Sequence, residues 1–241
     1  MTDVACQQET SLAFVAAVNN VGVLRHRLYT SECLRTGRYP LRLHYNCKSA
    51  AQAFNPELHG SLHSKWLVWV HQDVILPKGW DLQFRSQLHL AMQSMPHLAV
   101  VGVYGVSAGA HVGCVLDRGE WLCPPGHLPC TVDALDELSF AVRRDSNLLL
   151  DPALGFDFYA TDLVLTARAR GFDSAVLHAP CEHWSSVPPN EPLPLNVAER
   201  IRISAEVFER KWAHALPIIT PCVRIDRAGD SARHIARLQG L

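Results

Sequence analysis

Residues 66–70, Trp-Leu-Val-Trp-Val, are bulky and apolar at every position, and the run stops abruptly at His71, Gln72 and Asp73. A strand with one face in water alternates apolar and polar residues. A strand apolar on both faces belongs in the middle of a sheet that is covered on both sides. That requirement points to an α/β fold in which helices flank a mostly parallel sheet. In open sheets of this kind ligands bind in the crevice beyond the carboxyl ends of the strands, which is where the polar residues after Val70 fall.

The surrounding pattern supplies the other layers. Residues 11–18 read as a strand stopped by Asn19-Asn20, and residues 23–34 as a helix closed by Thr36-Gly37. Residues 41–45 alternate as a second strand, and 50–63 read as helical pieces around Pro56 before the third strand at 66–70. Three strands joined by helical crossovers imply parallel pairing. After the Pro77-Lys78-Gly79 turn, Phe84, Leu88, Ala91 and Met95 fall on one helical face.

Residues 98–106 give another apolar strand. The stretch 107–130, with four glycines and three prolines, reads as a loop or hairpin insertion, after which 132–142 return to the sheet. Ala160, Leu163, Val164 and Ala167 mark a helix closed by Gly171, and 174–178 form a short strand leading to His183. Four prolines within 187–196 exclude regular structure and fit a flap, and Ala198, Ile201, Ala205, Phe208 and Trp212 stripe a final amphipathic helix. Little pattern follows. The organisation expected is one domain over 1–214 with a C-terminal tail at 215–241.

At 241 residues and 48% hydrophobic content the chain can bury a real core. Its net charge of −1 argues against nucleic acid or an anionic membrane surface as partner. The first ten residues lack the pattern of a signal peptide, and no apolar run reaches the roughly 18 residues that span a bilayer, so a cytoplasmic protein without a transmembrane segment is expected. The eight cysteines, at 6, 33, 47, 114, 123, 130, 181 and 222, are scattered and are expected to be reduced. Cys123, His127 and Cys130 have zinc-binding residue types, but no second pair at finger spacing follows.

Three segments, taken in order, carry a resemblance: Trp66-Leu-Val-Trp-Val-His-Gln-Asp-Val74, Phe156-Asp-Phe-Tyr-Ala-Thr-Asp-Leu163 and His183-Trp-Ser185. Over roughly residues 12–212 the chain resembles the family 2-like glycosyltransferases of GT-A fold, in the branch with His-Gln-Asp in place of Asp-x-Asp. The resemblance implies a nucleotide-sugar donor under the carboxyl edge of the sheet and a divalent cation on its diphosphate. It also implies a glycan or other hydroxyl acceptor opposite, and inversion at the anomeric carbon. His183 then matches the late histidine of the metal site, Ser185 the serine beside it, and Asp162 the general base, with Asp157 as its competitor.

The chemistry asks for the same groups. A departing diphosphate needs its charge neutralised, which a bound cation does as a Lewis acid. Asp73 is the natural anchor, His183 and His71 are further ligands, and a mixed oxygen and nitrogen set leans toward Mn²⁺ over Mg²⁺. Gln72, Asn19, Asn46 and Asn55, at strand ends and on the next helix, are candidates for holding the donor. Asp133, Asp136 and Trp184 are candidates for the acceptor, through charged hydrogen bonds and ring stacking. Tyr45-Asn46-Cys47 lacks the aspartate that related enzymes use on uracil or ribose, which leaves the base open. Two rival readings are a catalytically silent domain of the same fold that binds nucleotide or glycan, and a nucleotidyltransferase or metal hydrolase. The last is disfavoured because no P-loop type glycine-rich segment is present.

Overall fold

The computed structural model describes residues 8–185 and 191–240. The chain begins with β1 (Leu12–Val18), α1 (Val21–His26), α2 (Glu32–Arg35), β2 (Leu41–Tyr45), α3 (Ala50–Leu58) and β3 (Trp66–Val70). β4 (Val74–Ile75), α4 (Trp80–Ser94), β5 (Leu98–Gly102) and β6 (Tyr104–Ser107) follow. Then come β7 (Ala110–Gly113), β8 (Val115–Asp117), β9 (Glu120–Leu122), β10 (Cys130–Thr131), β11 (Ala134–Leu135) and β12 (Ser139–Arg143). The last third holds α5 (Tyr159–Ala169), β13 (Asp173–Val176), β14 (Cys181–His183), α6 (Leu195–Lys211), β15 (Ile218–Ile219), β16 (Arg224–Ile225) and α7 (Asp230–Leu238).

The main sheet has seven strands in the order β10-β13-β5-β12-β3-β1-β2. β1 pairs parallel with β2 and β3, and β13 with β5, while β12 runs antiparallel between β3 and β5. This is the mixed α/β architecture with a mostly parallel sheet flanked by helices that the sequence implied. All five residues of β3 are buried, because both faces are covered. Leu67 and Trp69 face the core under α3, α5 and α6, where Trp69 stacks on Phe140. Trp66, Val68 and Val70 face the opposite core, with Trp80, Phe84 and Leu88 of α4. Burying each side chain of this size contributes about 1.5–3 kcal/mol.

Several local expectations change on packing. The helix expected over 23–34 is broken, because Arg27 leaves helical dihedrals and the Leu28 N–H turns toward the Gln72 carbonyl at 3.4 Å. α3 runs through Pro56 instead of stopping there. The strand over 98–106 divides at Val103, and β6 joins a separate sheet with β7 and β11. Residues 187–190 of the expected flap lie outside the described residues, and 191–194 carry no regular structure.

The 107–130 insertion folds into strands, and these position the site. β8 and β9 form a hairpin whose turn holds Arg118 and Gly119 at positive φ. Val115 lies opposite Leu122, so the next residues out, Cys114 and Cys123, meet and are joined as a disulfide. This corrects the expectation that all eight cysteines are reduced and removes Cys123 from any zinc site. Disulfides persist mainly in oxidising compartments, so the pair is also at odds with a cytoplasmic reading. No helix among the described residues is long and apolar enough to cross a membrane.

Beyond 214 the chain does not trail off. β15 and β16 pair as a hairpin, and Ile218, Val223 and Ile225 join the core under α5 and α6. α7 buries Ser231 and Ile235, and the Glu209 carboxylate of α6 accepts from the Gly229 and Ser231 N–H groups at its start.

Candidate cation and donor site

β3 ends at Val70, and the backbone N–H of His71 still donates to the Leu138 carbonyl, so His71 is held at the carboxyl edge of the sheet. Asp73 follows two residues later, just before β4. β14 lies antiparallel to β4 and parallel to β8, which places His183 opposite both Val74 and Asp117. Three segments far apart in sequence thus converge. His183 Nε2 lies 3.7 Å and His71 Nδ1 3.9 Å from Asp73 Oδ1. One ligand atom from each residue falls within 4.8 Å of the others.

The other nitrogen of each ring is already engaged. His183 Nδ1–H donates to Asp117 Oδ1 at 2.8 Å. His71 Nε2 lies 2.8 Å from the Tyr159 hydroxyl, which donates to the Glu137 carbonyl at 3.3 Å and accepts from Trp69 Nε1 at 3.1 Å. The Glu137 carbonyl also accepts from Trp69 Nε1 at 3.1 Å, and in the tautomer in which the phenol accepts from His71 Nε2–H the lone pair of His71 is on Nδ1. Both rings then present a lone pair toward the Asp73 carboxylate. Three electron-pair donors converging in this way require a proton or a cation between them, and outer hydrogen bonds of this kind are what orient histidine ligands in metal sites. The residues present therefore fit a divalent cation.

The electrostatics follow from burial and neighbours. Burial pulls His71 below the usual histidine range, against the attraction of Asp73. Burial also opposes charge on His183, but the Asp117 hydrogen bond and the Asp73 charge hold it above that range. Asp117 is penalised by burial, yet its bonds to His183 and Arg118 hold its carboxyl below the usual value.

A crevice of about 360 Å³ runs from this cluster along the ends of β1 and β3, lined by Asn19, Cys47, Gln72, Phe156 and Arg200 among others. Gln72 is a clamp within it. Its Oε1 accepts from the Asn19 and Asn20 N–H groups at 3.1 Å each, and its Nε2 donates to Asn19 Oδ1, tying the end of β3 to the end of β1. Asn46, exposed beyond β2 at φ +52°, is outside the crevice lining. Asn55 is not available to a donor, because its amide is used in both directions on the Leu150 backbone, at 2.9 Å each.

The acidic candidates separate in the same way. Asp162 does not reach the crevice. It is 1% exposed, accepts from Trp212 Nε1 at 2.7 Å and pairs with Lys211 Nζ at 2.8 Å, so α5 aims it at α6 and not at the ligand. Burial raises its pKa against the pull of Lys211 and Trp212. Asp133 also points elsewhere, bonded to the Ala108 N–H and to Arg168 at 2.8 and 2.7 Å. Asp136 lines an adjoining cavity, with Oδ1 accepting from the Leu138 N–H. Trp184 lies beside the cluster, its backbone N–H donating to the Asp73 carbonyl, its indole N–H to Glu182 Oε2 at 3.4 Å, and its ring under the Arg27 guanidinium at 4.4 Å.

Besides Asp73, the carboxylates that line the crevice are Glu137 and Asp157. Arg200 grips Asp157 through two bonds of 2.9 and 3.0 Å. Burial, and then repulsion from Asp136 and Asp157, push Glu137 well above the usual carboxylate range. Sequence reasoning named Asp157 only as a competitor and passed over Glu137, Tyr159, Arg200 and Asp117. No motif marks Asp117, whose role depends on the pairing of β8 with β14.

No protein-family model and no curated protein matches this sequence. Solved structures similar in shape include GalNAc-T7 with UDP, GalNAc and Mn²⁺, at 12% identity and a TM-score of 0.48, over 86% of this chain and 52% of that one. S. aureus TarS 1–349 in complex with UDP-GlcNAc gives 12% identity and a TM-score of 0.43, over 84% of this chain and 73% of that one. The chain spans about half the length of the first of these. The likeness is one of overall shape.

Proposed function

We propose that this chain is a divalent-cation-dependent glycosyltransferase that moves a hexosyl group, with inversion, from a nucleoside diphosphate to an acceptor hydroxyl. The observation that carries the reading is the convergence of His71, Asp73 and His183 at the carboxyl edge of the sheet, at one end of a crevice that also holds carboxylates. His71, Asp73 and His183 would hold the cation, and the two nitrogen donors favour Mn²⁺ over Mg²⁺. Such a cation supplies Lewis-acid neutralisation of the departing diphosphate.

The chain's own groups supply the rest. The Gln72–Asn19 clamp shapes the donor crevice. The acceptor oxygen bonds to the anomeric carbon as the bond from that carbon to the diphosphate oxygen breaks, and the electron pair leaves with the diphosphate. The hydroxyl proton passes to a carboxylate. We assign that role to Glu137, because Asp157 is neutralised by Arg200 and Asp162 is spent on Lys211 and Trp212. A raised pKa makes Glu137 the stronger base.

The test is release of nucleoside diphosphate from a panel of nucleotide sugars with Mn²⁺, comparing wild type with Glu137→Gln and Asp162→Asn. Loss of turnover in Glu137→Gln, with turnover kept in folded Asp162→Asn, supports the assignment. The burial of Asp162 in an ion pair also favours a second reading, a domain that binds nucleotide or glycan without turnover. Binding of Mn²⁺ and nucleotide with no release from any donor would establish it.

A further inference from the structure

A second cavity, of about 600 Å³, opens directly off the donor crevice, and Glu137, Asp157, Val197 and Arg200 line both. Its volume is in the range of small-molecule sites, about 300–1,000 Å³. Its walls change character with distance from the cation cluster. Glu137 and Asp157 stand at the shared end with Asp136 next to them in the chain, and beyond them the lining is mostly apolar, with Leu135, Ile201, Val223 and Ile235 from β11, α6, the C-terminal hairpin and α7, interrupted by Thr220, Ser231 and His234. Water in the apolar part would find few hydrogen-bond partners, so an apolar group that displaces it is favoured.

Charge narrows the class further. The arginines at the cavity are both paired, Arg200 with Asp157 and Arg118 with Asp117, at 2.9 and 2.8 Å. Asp136 and Glu137 have no ion-pair partner among the described residues. The polar end therefore presents carboxyl oxygens, with no lysine and only paired arginines in the lining. It suits neutral hydroxyls, which donate to carboxylates, and repels a phosphate or carboxylate head.

We infer that the acceptor is a neutral amphiphile: a sugar or other hydroxyl-bearing head at Glu137 and Asp157, carried on an alkyl body that fills the second cavity. This assignment rests on the sugar-transfer reading for what happens to the hydroxyl, though the binding itself needs neither donor nor cation. In sequence terms it gives the C-terminal segment a use, since β15, β16 and α7 close a cavity that residues 1–214 alone would leave open.

The experiment is calorimetric titration of the full chain with methyl glucoside, octyl glucoside and octyl phosphate, each kept below micelle-forming concentration. Burial of the longer alkyl chain predicts octyl glucoside at least about tenfold tighter than methyl glucoside. Octyl phosphate, with the same tail and an anionic head, should bind at least about tenfold more weakly than octyl glucoside. Ile201→Arg, which fills the cavity from α6, should cost about tenfold or more in octyl glucoside affinity. Ile203→Arg, on the same helix at a position 52% exposed, should leave that affinity unchanged. Equal affinity for the two glucosides, tighter binding of the phosphate, or equal effects of the two arginines would overturn the inference. Donor turnover with Mn²⁺, measured on the same preparation, separates failure of this assignment from failure of the transferase reading.

Discussion

The sharpest consequence of the site geometry concerns a residue that touches no substrate. Asp117 accepts from His183 Nδ1 at 2.8 Å, and the two side chains are 16% and 19% exposed, so solvent screens the contact only weakly. A hydrogen bond to a charged group is worth about 1.5–3 kcal/mol net. At about 1.4 kcal/mol per tenfold, that corresponds to roughly 10–150-fold. Outer partners of metal-bound histidines cost about 10–100-fold in affinity when removed, which agrees. Asp117→Ala is therefore expected to weaken Mn²⁺ binding by about 10–100-fold. Asp117→Asn keeps a neutral acceptor of the same shape and should lose about half as much free energy, a several-fold effect. Calorimetric titration with MnCl2, with thermal unfolding of each variant as the fold control, measures both. A dissociation constant for folded Asp117→Ala within twofold of wild type would refute the claim that this contact sets the tautomer and orientation of His183.

Three further expectations follow. As the base, Glu137 must be deprotonated, so kcat/KM should fall as pH drops through a value above the usual carboxylate range; Glu137→Gln should abolish that limb and cost about 100–10,000-fold in turnover, and a limb that persists in the variant counts against the assignment. Lys211→Met leaves Asp162 buried without its cation, and urea unfolding should show a loss of about 3–5 kcal/mol near neutral pH. Because burial already sets the folded-state pKa of Asp162 above its unfolded value, the folded state holds this proton more tightly; the loss should shrink as pH falls through the folded value, and a loss that grows on acidification would contradict this. Trp69→Ala removes a ring buried between Phe54, Phe140 and Tyr159 and should cost about 3–5 kcal/mol by chemical denaturation, with a cost under 1 kcal/mol showing that the core re-forms around it.

The sequence by itself determined the layered sheet. Hydrophobic periodicity is a local quantity, and five consecutive buried residues at 66–70 leave few alternatives to a central strand covered on both faces. For the same reason it located one edge of the site, since whatever follows a central strand must emerge at the sheet's carboxyl edge. His71, Asp73 and His183 were legible as the groups that meet there. What lay beyond local pattern was direction. Asp162 sits in the first turn of α5, as expected, but the turn's orientation aims its carboxylate at Lys211, the last residue of α6, and at Trp212, which caps it. Asn55 is likewise on its helix and occupied by a loop 95 residues away. Asp117 and Glu137 gained their places only when β8 paired with β14 and when β12 brought the preceding loop against α5. The two-residue strands β15 and β16 are too short to show a period and are held by burial against surfaces that exist only once the rest has folded, whereas α7 is amphipathic and its Ile235 face was readable but had no visible partner in the sequence. Periodicity fixes which residues are buried. Which polar groups face one another depends on contacts between segments distant in the chain, and those are decided by the tertiary structure alone.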